Sequence, residues 1–204
     1  MNERTIVYVD GFNLYFGLRT KGWKRYCWLN LQPLSQNILK SNQTLVCTKY
    51  FTSRVSNPPS KVKRQTTYIE ALETLSNFYI YYGHYQHNIK TCSKCGDITA
   101  VPNEKMTDVN IAVEMLTAVF EDKYDVAILI SADSDLVGMI KSIKRLFSCK
   151  KIIVAFLPAR FSVAIHDQVH SSFNLGRKKL ADSIFPDNIM KADGFILTKP
   201  ERWK

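Results

Sequence analysis

Four aspartates, Asp10, Asp108, Asp133 and Asp135, stand at positions in this 204-residue chain where a carboxylate can do chemistry. Asp10 follows the β-rich run Thr5-Ile-Val-Tyr-Val9 and opens Asp10-Gly-Phe-Asn13. Asp133 and Asp135 follow Val126-Ala-Ile-Leu-Ile130 in the stretch Ser131-Ala-Asp-Ser-Asp135. Asp108 lies where the apolar stretch Ile111 to Phe120 begins. Like charges that gather repel one another unless a cation neutralises them, and a divalent ion is the simplest one. Carboxylate oxygens are hard donors, which suits Mg²⁺ or Mn²⁺. Each acid also has a plainer role open to it. Asp133 or Ser134 can cap the next helix, Asp10 can close an Asx turn, and Asp108 can complement a helix dipole.

Which role holds depends on the elements that carry the acids. Five consecutive apolar residues at 126–130 are too few for a helix and predict a strand buried on both faces, with a helix over 136–147 after it. Further strands are expected at 44–51, 77–85 and 151–156. Helices are expected at 31–39, from about 61 to 75, and from 103 to 120, the last capped by Thr107 and buried because it is apolar on most sides. Strands that alternate with helices through right-handed crossovers make a mostly parallel sheet with helices on both faces, a three-layer, Rossmann-like α/β/α sandwich. If the first strand and the strand at 126–130 are neighbours where the strand order reverses, the four acids converge on one crevice at the carboxyl edge. Phosphodiester hydrolysis suits such a site, because a bound metal lowers the pKa of an attacking water and shields charge on the phosphate.

The balance of charge points to a polyanion. Lys and Arg number 28 against 18 acids, a formal charge of +10, with a pI near 9.4. No basic amphipathic helix stands out, so nucleic acid comes before a membrane surface, and no apolar run approaches the length of a span. Arg19, Lys21, Lys24 and Arg25 interleave with Trp23 and Tyr26, a pattern that suits phosphate contact with base stacking or a loop packed down by its rings. Lys61, Lys63 and Arg64 open a helix whose dipole they oppose, an odd choice for stability alone, and are expected to grip a strand. Arg160, Ser162 and His166 follow the strand at 151–156. His166 reads as a satisfied helix residue and Trp203 as a docking residue. The five cysteines, an odd number, and a start that enters a strand at once suit the cytoplasm. The whole of 1–204 is expected to form one domain.

His84, His87, Cys92 and Cys95 have metal-like spacing in a small hairpin insertion at 84–102. One CxxC supplies two thiolates, and a closed zinc site needs four ligands. The two histidines could complete a structural Zn²⁺ site, a second subunit of a homodimer could, or the turn is reduced and metal-free.

Three ordered motifs, Tyr8-Val-Asp-Gly-Phe-Asn-Leu14, Glu104-Lys-Met-Thr-Asp-Val-Asn-Ile-Ala112 and Ile130-Ser-Ala-Asp-Ser-Asp-Leu136, with the terminal Lys199-Pro-Glu-Arg-Trp203, resemble the bacterial NYN domain proteins of the PIN-like nuclease superfamily, in the LabA-like branch. The resemblance implies a PIN-like sandwich and metal-dependent cleavage of RNA. It implies Asp10, Asp108 and Asp133 as principal metal ligands, Asp135 helping directly or through water, and Asn13 and Ser131 orienting ligands or phosphate. Glu104 and Lys105 match the acidic-lysine pair ahead of the family's helix, which puts Lys105 with the nucleic-acid contacts. The CxxC hairpin resembles an insertion in that branch. The alternative is an RNA-binding regulator whose acids hold a metal without turnover.

Overall fold

The computed structural model describes residues 2–91, 93 and 95–204, the side chains of 85–91 and 98–104 apart. In chain order the elements begin β1 (Glu3–Asp10), α1 (Gly11–Thr20), α2 (Leu31–Asn37), β2 (Gln43–Thr52), α3 (Pro59–Glu73), β3 (Phe78–Tyr82), β4 (His84–Thr91) and β5 (Ile98–Lys105). They continue with α4 (Thr107–Phe120), β6 (Val126–Ile130), α5 (Val137–Leu146), β7 (Lys151–Phe156), α6 (Val163–His166), β8 (Ser171–Asn174), α7 (Arg177–Ala181), β9 (Asn188–Met190) and β10 (Ile196–Thr198).

Six strands make the central sheet in the order β3-β2-β1-β6-β7-β8, and each neighbouring pair is parallel. Parallel strands bury both faces, and the alternation of side chains shows how. Val7, Val9, Val126, Ile128 and Ile130 meet Leu14 and Leu18 of α1, Leu31 and Leu34 of α2 and Leu72 of α3 on one side. Ile6, Tyr8, Ala127 and Leu129 meet Ile111 and Met115 of α4 and Ile140 and Ile143 of α5 on the other. The sheet is thus the middle of three layers. Val9 lies opposite Ile130, so the strand order reverses between β1 and β6 and a crevice opens beyond their carboxyl ends.

Several expectations need correcting. The strand expected at 77–85 stops at Tyr82, and β4 starts at His84 to pair antiparallel with β5. Residues 103–105 stay in β5 rather than opening a helix. Met106 takes the cap position of α4 in the left-handed conformation, φ 78°, with no side-chain cap, and Thr107 is already helical. The chain needs that turn to pass from strand into helix within one residue. Nor is α4 buried all round: Val109, Val113 and Phe120 are exposed. Trp203 does dock, with its ring centroid 5.9 Å from Tyr68 and 6.4 Å from Trp28. No helix among the described residues is long and apolar enough to cross a membrane.

Candidate metal centre

Asp10 continues the face of β1 that carries Ile6 and Tyr8, and Ser131 continues the face of β6 that carries Leu129. That is the face α4 covers, so the first turn of α4 arrives above both. One carboxylate oxygen each from Asp10, Asp108 and Asp133 lies within 4.8 Å of the others. The three residues come from a strand end, a helix start and a strand-to-helix turn that are far apart in the chain.

Asp10 is buried, at 3% exposure. Burial raises its carboxyl above the usual carboxylate range, against the hydrogen bonds that lower it, and the charge of Asp133 adds to the rise. Those hydrogen bonds fix both oxygens: Asn13 N–H donates to Oδ1 at 3.0 Å and the Ser131 hydroxyl to Oδ2 at 2.9 Å. Ser131 Oγ in turn accepts from Asp133 N–H at 3.1 Å. One hydroxyl therefore ties the first acid to the loop that carries the third. Asp133 Oδ1 accepts from Asp135 N–H at 3.1 Å, so Asp133 caps the short 3₁₀ turn Ser134–Leu136 while its side chain joins the cluster. The capping role and the cluster role coincide in this residue.

Gly11 is required by the approach of α1 to β2. A Cβ there would stand 2.6 Å from Tyr50 Oη and 2.7 Å from the Phe51 carbonyl oxygen. A side chain there would force the start of α1, next to Asp10, or the β2 backbone to shift.

Oxygen donors fit a hard divalent ion. Oxygens on opposite sides of such an ion, about 2.1 Å from it, are about 4.2 Å apart, so a small side-chain shift closes this cluster on one ion. Among the described residues no other group of three or more acids, cysteines or histidines draws together in this way.

The other expected site residues fall into three sets. Asn13 Oδ1 accepts from Ala132 N–H and from the Arg160 guanidinium, both at 3.4 Å, so Asn13 and Arg160 border the crevice. Asp135 is exposed and stands outside the three-acid group, contributing its backbone N–H. Arg19, Lys61 and Arg64 line a cavity of about 610 Å³ whose wall includes Gly11 and Phe12, the two residues that follow Asp10 in the chain. Lys24, Arg25, Lys63 and Lys105 are exposed. Tyr26 is not available to stack a base: it is buried, and its hydroxyl accepts from Arg177 Nε at 3.0 Å. Trp23 packs edge-on against it. His166 is exposed and lies 2.9 Å from Ser172 Oγ through Nδ1. Cys92 and the side chains of His87 and Glu104 lie outside the described residues. Of the proposed zinc ligands that are described, His84 and Cys95 are exposed, and Cys95 Sγ lies 3.4 Å from Asp97 Oδ2. The cavity itself went unforeseen, although Phe12, Tyr15 and Phe16 recur at helical spacing on α1 and line it.

Comparison with known proteins agrees with this geometry. The family model described as the NYN domain matches residues 4–174, a span that contains all three clustered acids. The chain is 28% identical over 176 residues to a Pseudomonas putida protein named 6-hydroxy-3-succinoylpyridine 3-monooxygenase, covering 69% of this chain. It spans 55% of that protein's length, and the named activity is that protein's own. A crystal structure of a Vibrio parahaemolyticus protein of unknown function superposes with a TM-score of 0.60 at 19% identity, over 90% of this chain and 97% of that one. That likeness concerns the fold.

Proposed function

The chain belongs to the NYN domain family, a PIN-like nuclease family, and from that premise we propose that it is a metal-dependent ribonuclease, cleaving RNA phosphodiesters internally at the carboxyl edge of its sheet. The observation that carries the reading is the meeting of Asp10, Asp108 and Asp133 within 4.8 Å. These three would hold Mg²⁺ or Mn²⁺, which when bound supplies a water of lowered pKa and neutralises charge on the phosphate.

The chain's own residues do the rest. Asn13 N–H and the Ser131 hydroxyl fix the two oxygens of Asp10 before any ion arrives. Such supporting partners orient carboxylate ligands and tune their affinity. Asp133 is fixed by its cap on Asp135 N–H, and the exposed Asp135 carboxylate can reach the site through water. Arg160, held at Asn13, offers charge-assisted hydrogen bonds to a phosphate in the crevice. Lys105, just before α4, and the exposed Lys24, Arg25 and Lys63 add the salt-sensitive attraction that draws RNA in. A cytoplasmic protein with structural zinc in the 84–102 hairpin, the LabA-like branch and a homodimer are finer parts of the same proposal.

The test is incubation of purified protein with mixed RNA, with and without EDTA, beside Asp10→Asn and Asp133→Asn. Cleavage that stops in EDTA and in both variants supports the assignment. Cleavage that survives both substitutions overturns it. Salt-dependent RNA binding with no products selects the non-cleaving regulator instead.

A further inference from the structure

The cavity beside the acids has the character of a ligand site in its own right. Its volume, about 610 Å³, falls in the range of about 300–1,000 Å³ typical of small-molecule sites. Tyr15 and Phe16 of α1 supply ring surface, and Tyr68 of α3 and Trp203, both buried, close the cavity. Two of the polar side chains in its wall are already spent on the protein. Tyr68 Oη donates to the Leu29 carbonyl at 3.0 Å. Gln65 donates to the Ser53 carbonyl and accepts from Val55 N–H, both at 2.8 Å. These two residues therefore present ring and aliphatic surface, while Ser56 and Asn57 also line the cavity.

Three cations stand around this surface. Arg19, Lys61 and Arg64 line it, and none has an ion pair recorded among the described residues. Burial pushes the Cys27 thiol up to about 12, and Arg19 and Arg64 both act against that rise, so the two guanidinium groups approach the same wall from α1 and α3. Like charges placed together around an apolar hollow favour an anion that brings a flat apolar body with it.

We propose that this cavity is a base subsite, taking one unpaired base of a nucleotide between its rings while the adjoining phosphates meet Arg19, Lys61 and Arg64. The proposal rests on the nuclease reading for its substrate class and narrows it to RNA with an unpaired nucleotide next to the cleaved bond. Gly11, Phe12 and Tyr50 line the cavity, Gly11 and Phe12 follow Asp10 directly in the chain, and the charge of Asp10 acts on the Tyr50 hydroxyl, so cavity and acids share the carboxyl end of β1. Recognition by ring faces tolerates any base, because every base has a π-face.

The experiment is photocrosslinking of the full-length Asp10→Asn protein, and of wild type in EDTA, to a single-stranded RNA carrying one bromouracil, with attachment sites mapped by mass spectrometry. A parallel arm uses bromouridine monophosphate alone. Crosslinks are expected at Tyr15 or Phe16. Labelling by the strand alone shows that the site needs neighbouring phosphates, and labelling by both shows that one nucleotide suffices. Val55→Trp, which places a bulky ring in the cavity, is expected to weaken strand binding by about 5- to 150-fold, the worth of one stacked base. Lys61→Gln with Arg64→Gln is expected to flatten the salt dependence by about 1.4 in logarithmic slope. Crosslinks confined to other surfaces, with Val55→Trp folded and binding as wild type does, overturn the subsite. If wild type still cleaves RNA in that case, the nuclease reading stands without it. Crosslinks in the cavity from a protein that never cleaves keep the subsite and remove the nuclease reading.

Discussion

The two ends of the β1–β6 pair use the same residue type in opposite ways. At the amino edge, Asp125 accepts from Arg4 through its backbone N–H at 2.9 Å and its guanidinium at 2.9 and 3.1 Å, and Lys150 bridges Asp122 and Asp125. The hydrogen bonds from Arg4 hold the Asp125 carboxyl well below the usual carboxylate range, and Lys150 does the same for Asp122. At the carboxyl edge, the recorded donors to Asp10 and Asp133 are neutral, a hydroxyl and backbone N–H groups, and burial moves Asp10 upward instead. Acids that a protein keeps for stability come with their own cations. Acids gathered with only neutral donors on two of them form a group that could hold a cation from outside.

The contrast breaks most sharply under substitution. Asp10→Asn and Asp133→Asn are expected to cost RNA cleavage about a thousandfold or more, the loss of several kcal/mol of charge stabilisation. Asp125→Asn is expected to leave cleavage near wild type, and single-turnover assays on all three variants measure the difference. Metal should sharpen the same contrast in a thermal melt. Mn²⁺ at about a hundred times its Kd adds about 2.7 kcal/mol to wild type and to Asp125→Asn, and nothing comparable to Asp10→Asn.

A smaller effect separates the edges by pH in metal-free protein. Asp125 has a depressed folded pKa, so its contribution is present above the unfolded value of about 3.9 and is lost as pH falls below it. Asp10 has a raised folded pKa, so the folded state binds the proton first and gains stability as pH falls from that raised value towards about 3.9. Denaturant midpoints measured down the acid range should show Asp125→Asn flattening the fall and Asp10→Asn removing the gain. At neutral pH, Asp125→Asn is expected to lower Tm by about 2–4 °C, modest because the pair is partly exposed. The mildest expected change to the metal site is Ser131→Ala. Loss of the hydroxyl that joins Asp10 to the Asp133 loop is expected to weaken Mn²⁺ affinity by about tenfold, as supporting partners do, and calorimetric titration reads it directly.

Sequence alone was enough to bring three of the four expected acids to one edge of the sheet. A buried five-residue strand ending in acids, and a first strand ending in another, can be neighbours in few right-handed arrangements, and Val9 does lie opposite Ile130. Asp108 was legible because a helix start above that edge has its charge to satisfy. The cavity was not legible, because its walls come from residues 11 to 203 and the docking of Trp203 on Tyr68 depends on how the terminal segment folds back. Tyr26 misled for the same reason: a loop of rings and cations has the same local pattern whether its rings face RNA or the core, and here Arg177 and Trp23 hold Tyr26 inward. The start of α4 misled because a left-handed Met106 lets the helix begin without the side-chain cap that Thr107 was expected to supply.

Manganese anomalous diffraction from crystals of the wild-type protein bears most directly on the carboxylate cluster. The account predicts a peak enclosed by the side chains of Asp10, Asp108 and Asp133 and absent from Asp10→Asn. A peak held by other residues, or none among these three acids at saturating Mn²⁺, would contradict it.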